Sequence, residues 1–381
     1  AVGATETIAD LCREFNFQHG TTTAYKPFYM RLARRSFPKF MRAVAMRLIR
    51  QLAVRVLQPE PDSPLARFKD IVIQDGTSFA LKPALSGAFP GRFKTVEPAA
   101  VEIHVTFSGF NDEVEMVHVS PDTAAERHFL PKPEDLRDKL LLADRGYPAR
   151  PYFRALDAAG ASFVMRLSRS WRPRVQAVYD NGRCGPVSPE VPLSQFLAQH
   201  PKCVLDLDIV MAKGRTKFAA RLMVVPGKRE HKHRIRLCTN LPRDAFSVGL
   251  VYHLYRFRWQ LELLFKEWKS YANLRKFDTA NQYIARGLIW ASLAAAVLKR
   301  FIAHAADRDP AVPISTRTAA MCARVFVRPL LMSVGKPRLF RRAMAEAVQF
   351  LQANARRAHP DRDKQRGRLK AGLELCSGPK V

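Results

Sequence analysis

Tyr255, Arg258, Glu262 and Lys269 stand three, four and seven residues apart. On an α-helix, at about 100° per residue, the four fall within roughly 60° of one another and share one narrow stripe. The stripe carries one carboxylate among cations. Leu254, Phe257, Leu261, Leu264, Phe265 and Trp268 fill an adjoining arc, so the helix is pinned by its apolar side while Glu262 points beside the core. An acid held among cations on such a helix suits a phosphodiester together with a metal ion.

Two further acids follow apolar runs. Asp75 closes Ile-Val-Ile-Gln-Asp75 and is followed by Gly-Thr-Ser; Asp144 closes Leu-Leu-Leu-Ala-Asp144 and is followed by Arg-Gly-Tyr. Both runs read as strands ending in an acid. Each Asp alone is equally an ordinary turn starter. Taken with Glu262, the three make the set that an RNase H-like α/β domain assembles from two neighbouring strands and a flanking helix. Such a set accepts two Mg²⁺ ions, with Mn²⁺ as a substitute, because hard divalent ions prefer oxygen donors and keep positions for water and phosphate. Paired ions about 3.5–4 Å apart stabilise both the attacking and the leaving oxygen of an in-line displacement at phosphorus. No Ser/His/Asp or Cys/His arrangement stands out. His118, His128 and His253 read as surface or phosphate-contacting residues, and the six scattered cysteines as reduced and structural rather than zinc-binding.

The elements that must position these groups are legible in outline. Residues 1–64 form a helical N-terminal region, with helical patterning from 6 to 57 interrupted at 16–23. It is either a helix-turn-helix for DNA ends or a basic helical cap. The core's first part spans 65–168: strands at 70–75, 79–82, 101–107 and 114–119 form an antiparallel meander, a helix covers 123–137, and strands near 139–143 and 162–167 flank a helix at 152–159. A β-rich insertion occupies 169–238. The core's second part, 239–280, carries a single helix over 247–271, and 281–381 is a helical C-terminal region with a basic tail. The expected fold is therefore α/β, an RNase H-like catalytic core interrupted by a β-rich insertion, with helical terminal regions.

Lys and Arg number 63 against 34 Asp and Glu, a formal net charge of +29, and 47% of the 381 residues are hydrophobic. That balance belongs to a folded chain that binds a polyanion, nucleic acid foremost. The longest apolar run, from Gly287 to Leu298, meets Lys299 and Arg300 before it reaches the roughly 20 residues a bilayer span needs, so it reads as a buried helix. No secretory leader is recognisable, and a cytoplasmic, nucleoid-associated bacterial protein is expected.

The chain resembles the DDE transposases of the insertion-sequence-4 family. The matching pieces are Asp75-Gly-Thr, Ala-Asp144-Arg-Gly-Tyr, Thr239-Asn-Leu-Pro242, and Tyr255, Arg258, Glu262 and Lys269 at that family's spacing, within about residues 70 to 271. The resemblance implies Asp75, Asp144 and Glu262 as the catalytic metal ligands, and Tyr255, Arg258 and Lys269 as contacts to phosphates of the terminal DNA. Arg145, next to Asp144, is a further phosphate candidate, and Glu267, off the stripe, an ion-pair partner. Ile235 stands where better-known members carry a Trp that stacks on a base flipped out during hairpin formation, so the resemblance leaves open whether a hairpin intermediate forms. Trp171, amid Arg166, Arg169, Arg172 and Arg174, is either a base platform or packing. The implied function is a transposase, acting as a homodimer on the terminal inverted repeats of its element and on target DNA. The alternatives are a non-catalytic DNA-binding protein derived from one and a metal-dependent nuclease without strand transfer.

Overall fold

The computed structural model describes residues 7–52, 59–111, 113–180, 183–201, 203–213, 216–226, 234–271, 278–307 and 313–358. The chain opens with three helices, α1 (Ile8–His19), α2 (Tyr25–Leu32) and α3 (Ser36–Leu52). Thr7 caps α1 by accepting a hydrogen bond from the Asp10 N–H, and Gly20 closes it in the left-handed conformation at φ 60°. The remaining elements run β1 (Asp70–Ala80), β2 (Ala100–Ser108), β3 (Glu113–Pro121), β4 (Lys139–Ala143), α4 (Arg150–Ala158), β5 (Ser162–Arg166), β6 (Arg174–Asp180), β7 (Arg183–Pro192), α5 (Leu193–Gln199), β8 (Leu205–Lys213), β9 (Thr216–Val225), β10 (Ile235–Thr239), α6 (Val248–Arg256), α7 (Trp259–Tyr271), α8 (Gln282–Ala306), α9 (Thr316–Ser333) and α10 (Pro337–Asn354). The fold is mixed α/β.

The strands join one ten-stranded mixed sheet among the described residues, in the order β3-β2-β1-β4-β5-β10-β9-β8-β6-β7. β1 pairs parallel with β4 and β4 parallel with β5, while the outer neighbours are antiparallel. The strands between β5 and α6 therefore extend the same sheet instead of forming a detached body. Alternation sorts side chains to two faces. Ile71, Ile73, Leu140, Leu142 and Val164 join one cluster with Val251 and Leu254 of α6, Leu261, Leu264 and Trp268 of α7, and Ile289 and Leu293 of α8. Val72, Leu141, Phe163 and Met165 face the other way, against Phe153 and Leu156 of α4. α8 is long and apolar enough to cross a membrane by length and composition. In this fold it is a core helix, with α3 laid against it and Lys299 and Arg300 buried.

Three local expectations are corrected, and two elements were not foreseen. Residues 123–137 are not an α-helix: two short 3₁₀ turns, Glu126–Phe129 and Pro133–Leu136, replace it, because Pro131 and Pro133 remove backbone donors and clash with the preceding turn. The strands expected at 70–75 and 79–82 are one strand running through Gly76, so Asp75 lies mid-strand. The helix expected over 247–271 is broken at Phe257 and Arg258 into α6 and α7. β7 and α5 had no clear periodic signal, since β7 holds Gly185, Pro186 and Pro189 and α5 has only seven residues.

Candidate active site

The parallel register of β1 with β4 ends at Gln74 opposite Ala143, and that of β4 with β5 at Ala143 opposite Met165. One step further along each strand stand Asp75, Asp144 and Arg166. Residues in register point to the same face, so these three form a row across the three parallel strands, on the side covered by α6 and α7. Asp75 stays in β1, which pairs with β2 beyond the end of β4. Asp144 follows immediately on β4 and is freer to accept bonds from the helices.

The break between α6 and α7 supplies those bonds. Around it the backbone tightens: the N–H groups of Phe257, Arg258 and Leu261 donate three residues back, to Leu254, Tyr255 and Arg258. The Tyr255 hydroxyl donates to Asp144 Oδ1 at 2.8 Å. Arg258 donates through Nη1 to Asp75 Oδ2 and through Nη2 to Glu262 Oε1 at 2.8 Å. Arg166 approaches Asp144 Oδ1 at 3.6 Å. Lys269, two turns further along α7, donates to the Ser78 carbonyl of β1 at 2.9 Å. Arg145 is exposed.

These surroundings drive the two aspartates apart in acidity. Burial pushes the Asp75 carboxyl up to about 6, against the pull of Arg258 and with the charge of Asp144 adding to the rise. Burial acts on Asp144 in the same sense, but Arg258, the Tyr255 hydroxyl and Arg166 outweigh it and hold that carboxyl below the usual range. Burial likewise raises the Tyr255 phenol, so it stays a donor. Arg258 loses charge stability to burial and regains more from Asp75, Asp144 and Glu262, leaving it firmly protonated.

Gly76 has a spatial cause. A Cβ there would lie 3.0 Å from Glu102 Oε1, 3.1 Å from His104 Nδ1 and 3.4 Å from the Tyr147 hydroxyl. The reverse face of β1 thus carries a buried polar layer directly behind the strand that holds Asp75. In it the Nε2 atom of Gln74, Oε2 of Glu102, Nδ1 of His104 and the Tyr147 hydroxyl are buried without a hydrogen-bond partner.

As a donor set, three carboxylates around one positive centre fit a hard divalent cation chemically. As the side chains stand, no three His, Cys, Asp or Glu groups converge to hold one among the described residues, because Arg258 occupies the space between Asp75 and Glu262. Of the residues singled out in the sequence, the fold brings together Asp75, Asp144, Glu262, Tyr255 and Arg258, sets Lys269 against the same strand, and leaves Arg145 outside the cluster. Glu267 is buried and faces Arg300 at 3.7 Å, on the side away from the acids. Arg166 was not expected at the site; only the parallel register reveals it. Trp171 packs beside Phe153, with Arg150 over its ring at 5.2 Å. Ile235 packs against the main core. Burial lowers the pKa of His118 and His253. The cysteines at 12, 184, 203, 238 and 322 are free thiols.

The family model described as Transposase DDE domain matches residues 66–298. The transposase for insertion sequence element IS1151 of Clostridium perfringens is 22% identical over 249 residues, 53% of this chain and 50% of that one. The transposase for insertion sequence element IS231F of Bacillus thuringiensis subsp. israelensis is 23% identical over 253 residues, 57% of this chain and 53% of that one. The chain thus spans about half the length of these two relatives. A solved piggyBac transposase synaptic complex with hairpin DNA aligns over 81% of this chain and 58% of that one, with a TM-score of 0.36 and 9% identity.

Proposed function

The chain belongs to the transposase DDE domain family, and from that premise we propose that it cuts DNA at the ends of an insertion sequence and joins the freed 3′-OH to target DNA. The spacing of Tyr255, Arg258, Glu262 and Lys269 supports the insertion-sequence-4 branch of that family, and the strand order β3-β2-β1-β4-β5 supports an RNase H-like core. Asp75, Asp144 and Glu262 are the residues that would hold two Mg²⁺ ions. When bound, such ions neutralise the charge that develops on the attacking and leaving oxygens of an in-line displacement.

The chain's own residues then have separate tasks. Tyr255 fixes Asp144 by donating to its Oδ1. Asp75 is held by the Gly76 N–H at 2.9 Å, which orients its carboxylate on a strand too firmly paired to drift. The guanidinium fork of Arg258 suits phosphate oxygens, Lys269 adds a point charge further along the stripe, and Arg166 and Arg145 extend positive charge past Asp144. A net charge of +29 supplies the general attraction to duplex DNA. A pair of copies synapsing the inverted repeats is part of this reading.

The observation that carries it is the row of Asp75 and Asp144 one step beyond the last parallel pair of β1 and β4, with Glu262 facing them across Arg258. The test incubates the protein with a labelled element end, a supercoiled plasmid and Mg²⁺. Joined product is expected from the parent, whereas Asp75→Asn and Glu262→Ala retain end binding and lose strand cleavage. Full cleavage by either variant would sink the assignment; nicking without joining would reduce it to a nuclease, and binding without nicking to a DNA-binding protein.

A further inference from the structure

Arg258 sits in the turn between α6 and α7 with its side chain only 13% exposed. Its two terminal nitrogens are spent on two different acids, Asp75 and Glu262, and its charge also acts on Asp144. Its Nε is buried without a hydrogen-bond partner, so the guanidinium is not fully satisfied where it lies. A metal ion that took Asp75 and Glu262 would compete with this fork for their charge, one oxygen of each carboxylate being already engaged by it. It would also meet a second positive charge at close range.

We propose that Arg258 is a built-in counter-cation of the acid cluster, which a divalent ion has to displace before it can take Asp75 and Glu262. The inference rests on the reading of those acids as metal ligands. Its physical basis is the cost of gathering carboxylates in a half-buried place. Three of them packed between a sheet and a helix pair repel one another and lose hydration, and a fold that must form before metal arrives needs a cation of its own there. A guanidinium supplies one without closing the site permanently, because it has no lone pair to offer and holds each acid through a single nitrogen. Its position in the chain suits an exchange. Arg258 lies between two helices rather than inside one, so a rotation at Phe257 and Arg258 disturbs only the short three-residue bonds of the turn. The displaced fork keeps the geometry that a phosphate accepts.

The experiment is a Mn²⁺ titration of the whole chain, followed by electron paramagnetic resonance and calorimetry, for the parent, Arg258→Gln, Arg258→Lys, Asp75→Asn and Glu262→Gln. Arg258→Gln is expected to bind Mn²⁺ roughly tenfold more tightly than the parent, the scale of removing one nearby competing charge. Arg258→Lys, with one ammonium unable to span both acids, falls between them. Thermal unfolding provides a second readout, independent of the binding titration. Arg258→Gln should melt below the parent without Mn²⁺ and recover more than the parent when Mn²⁺ is added. Equal or weaker Mn²⁺ binding by Arg258→Gln, while Asp75→Asn abolishes binding, overturns the counter-cation and leaves the ligand assignment standing. Mn²⁺ binding that neither Asp75→Asn nor Glu262→Gln changes overturns the ligand assignment, and the counter-cation with it.

Discussion

Replacing Glu102 by Gln tests how much the polar layer behind the acid row costs the fold. Glu102 is 4% exposed, and its Oε2 has no hydrogen bond, with the Arg92 guanidinium at 3.6 Å and the His104 Nε2 atom at 3.7 Å. Burial pushes the His104 imidazole down to about 4, so that ring is neutral near pH 7 and gives no ion pair. Burial, with the charge of Glu126 adding to it, raises the Glu102 carboxyl from the ordinary 4.5 to about 7. A raised carboxyl means the folded chain keeps a proton that the unfolded chain releases, so stability is lost as the pH rises from 4.5 through about 7. The difference is about 2.5 pH units at about 1.4 kcal/mol each, an upper bound near 3.5 kcal/mol. The side chain of Arg92 is 51% exposed, so solvent screens the site, and about 2 kcal/mol is the discounted figure. Glu102→Gln keeps the shape and removes the charge. It should therefore stabilise the protein by about 2 kcal/mol near pH 8 and by almost nothing near pH 4.5, read from urea unfolding at the two pH values. A variant less stable than the parent at the higher pH would refute the reasoning by showing Glu102 to be a satisfied anion, and a gain independent of pH would refute it by showing that the carboxyl's charge is not its source.

Tyr255→Phe removes the donor to Asp144, whose carboxyl is held low, so a cost of about 1–2 kcal/mol is expected at neutral pH and should fade as the pH falls through the folded-state value, below 3.8; equal stabilities at pH 7 would contradict it. Gly287→Ala drives a methyl of α8 into the ring of Phe37 on α3, so the usual helical gain of about 1 kcal/mol should turn into a loss of about 1–2 kcal/mol, with faster proteolysis of the N-terminal helices; a net gain would show that this helix contact is loose.

Much of the site was legible because spacing survives without a structure. The three-four-seven spacing of Tyr255, Arg258, Glu262 and Lys269 marks residues that share a side even though the helix breaks, since a tight turn over Phe257 and Arg258 changes their angles by only a fraction of a turn. The apolar runs before Asp75 and Asp144 predict strands because hydrophobic alternation and side-chain direction are local properties. The helix expected over 123–137 failed for an equally local reason: Pro131 and Pro133 break any α-helix there.

What the amino-acid sequence determined by itself was therefore the inventory: three acids, their cationic neighbours, a basic chain and the elements that carry each. Their assembly belongs to the tertiary structure. Only the pairing of β1 with β4 and β4 with β5 brings Asp75, Asp144 and Arg166 to one step of one face, because register depends on which strands meet and no single strand encodes its neighbour. Likewise the sequence marks Arg258 as a cation near an acid. That it bridges Asp75 and Glu262, 183 and four residues away, follows from packing α6 and α7 onto the sheet, where burial leaves the charges no solvent to turn to and each must find its partner across the fold.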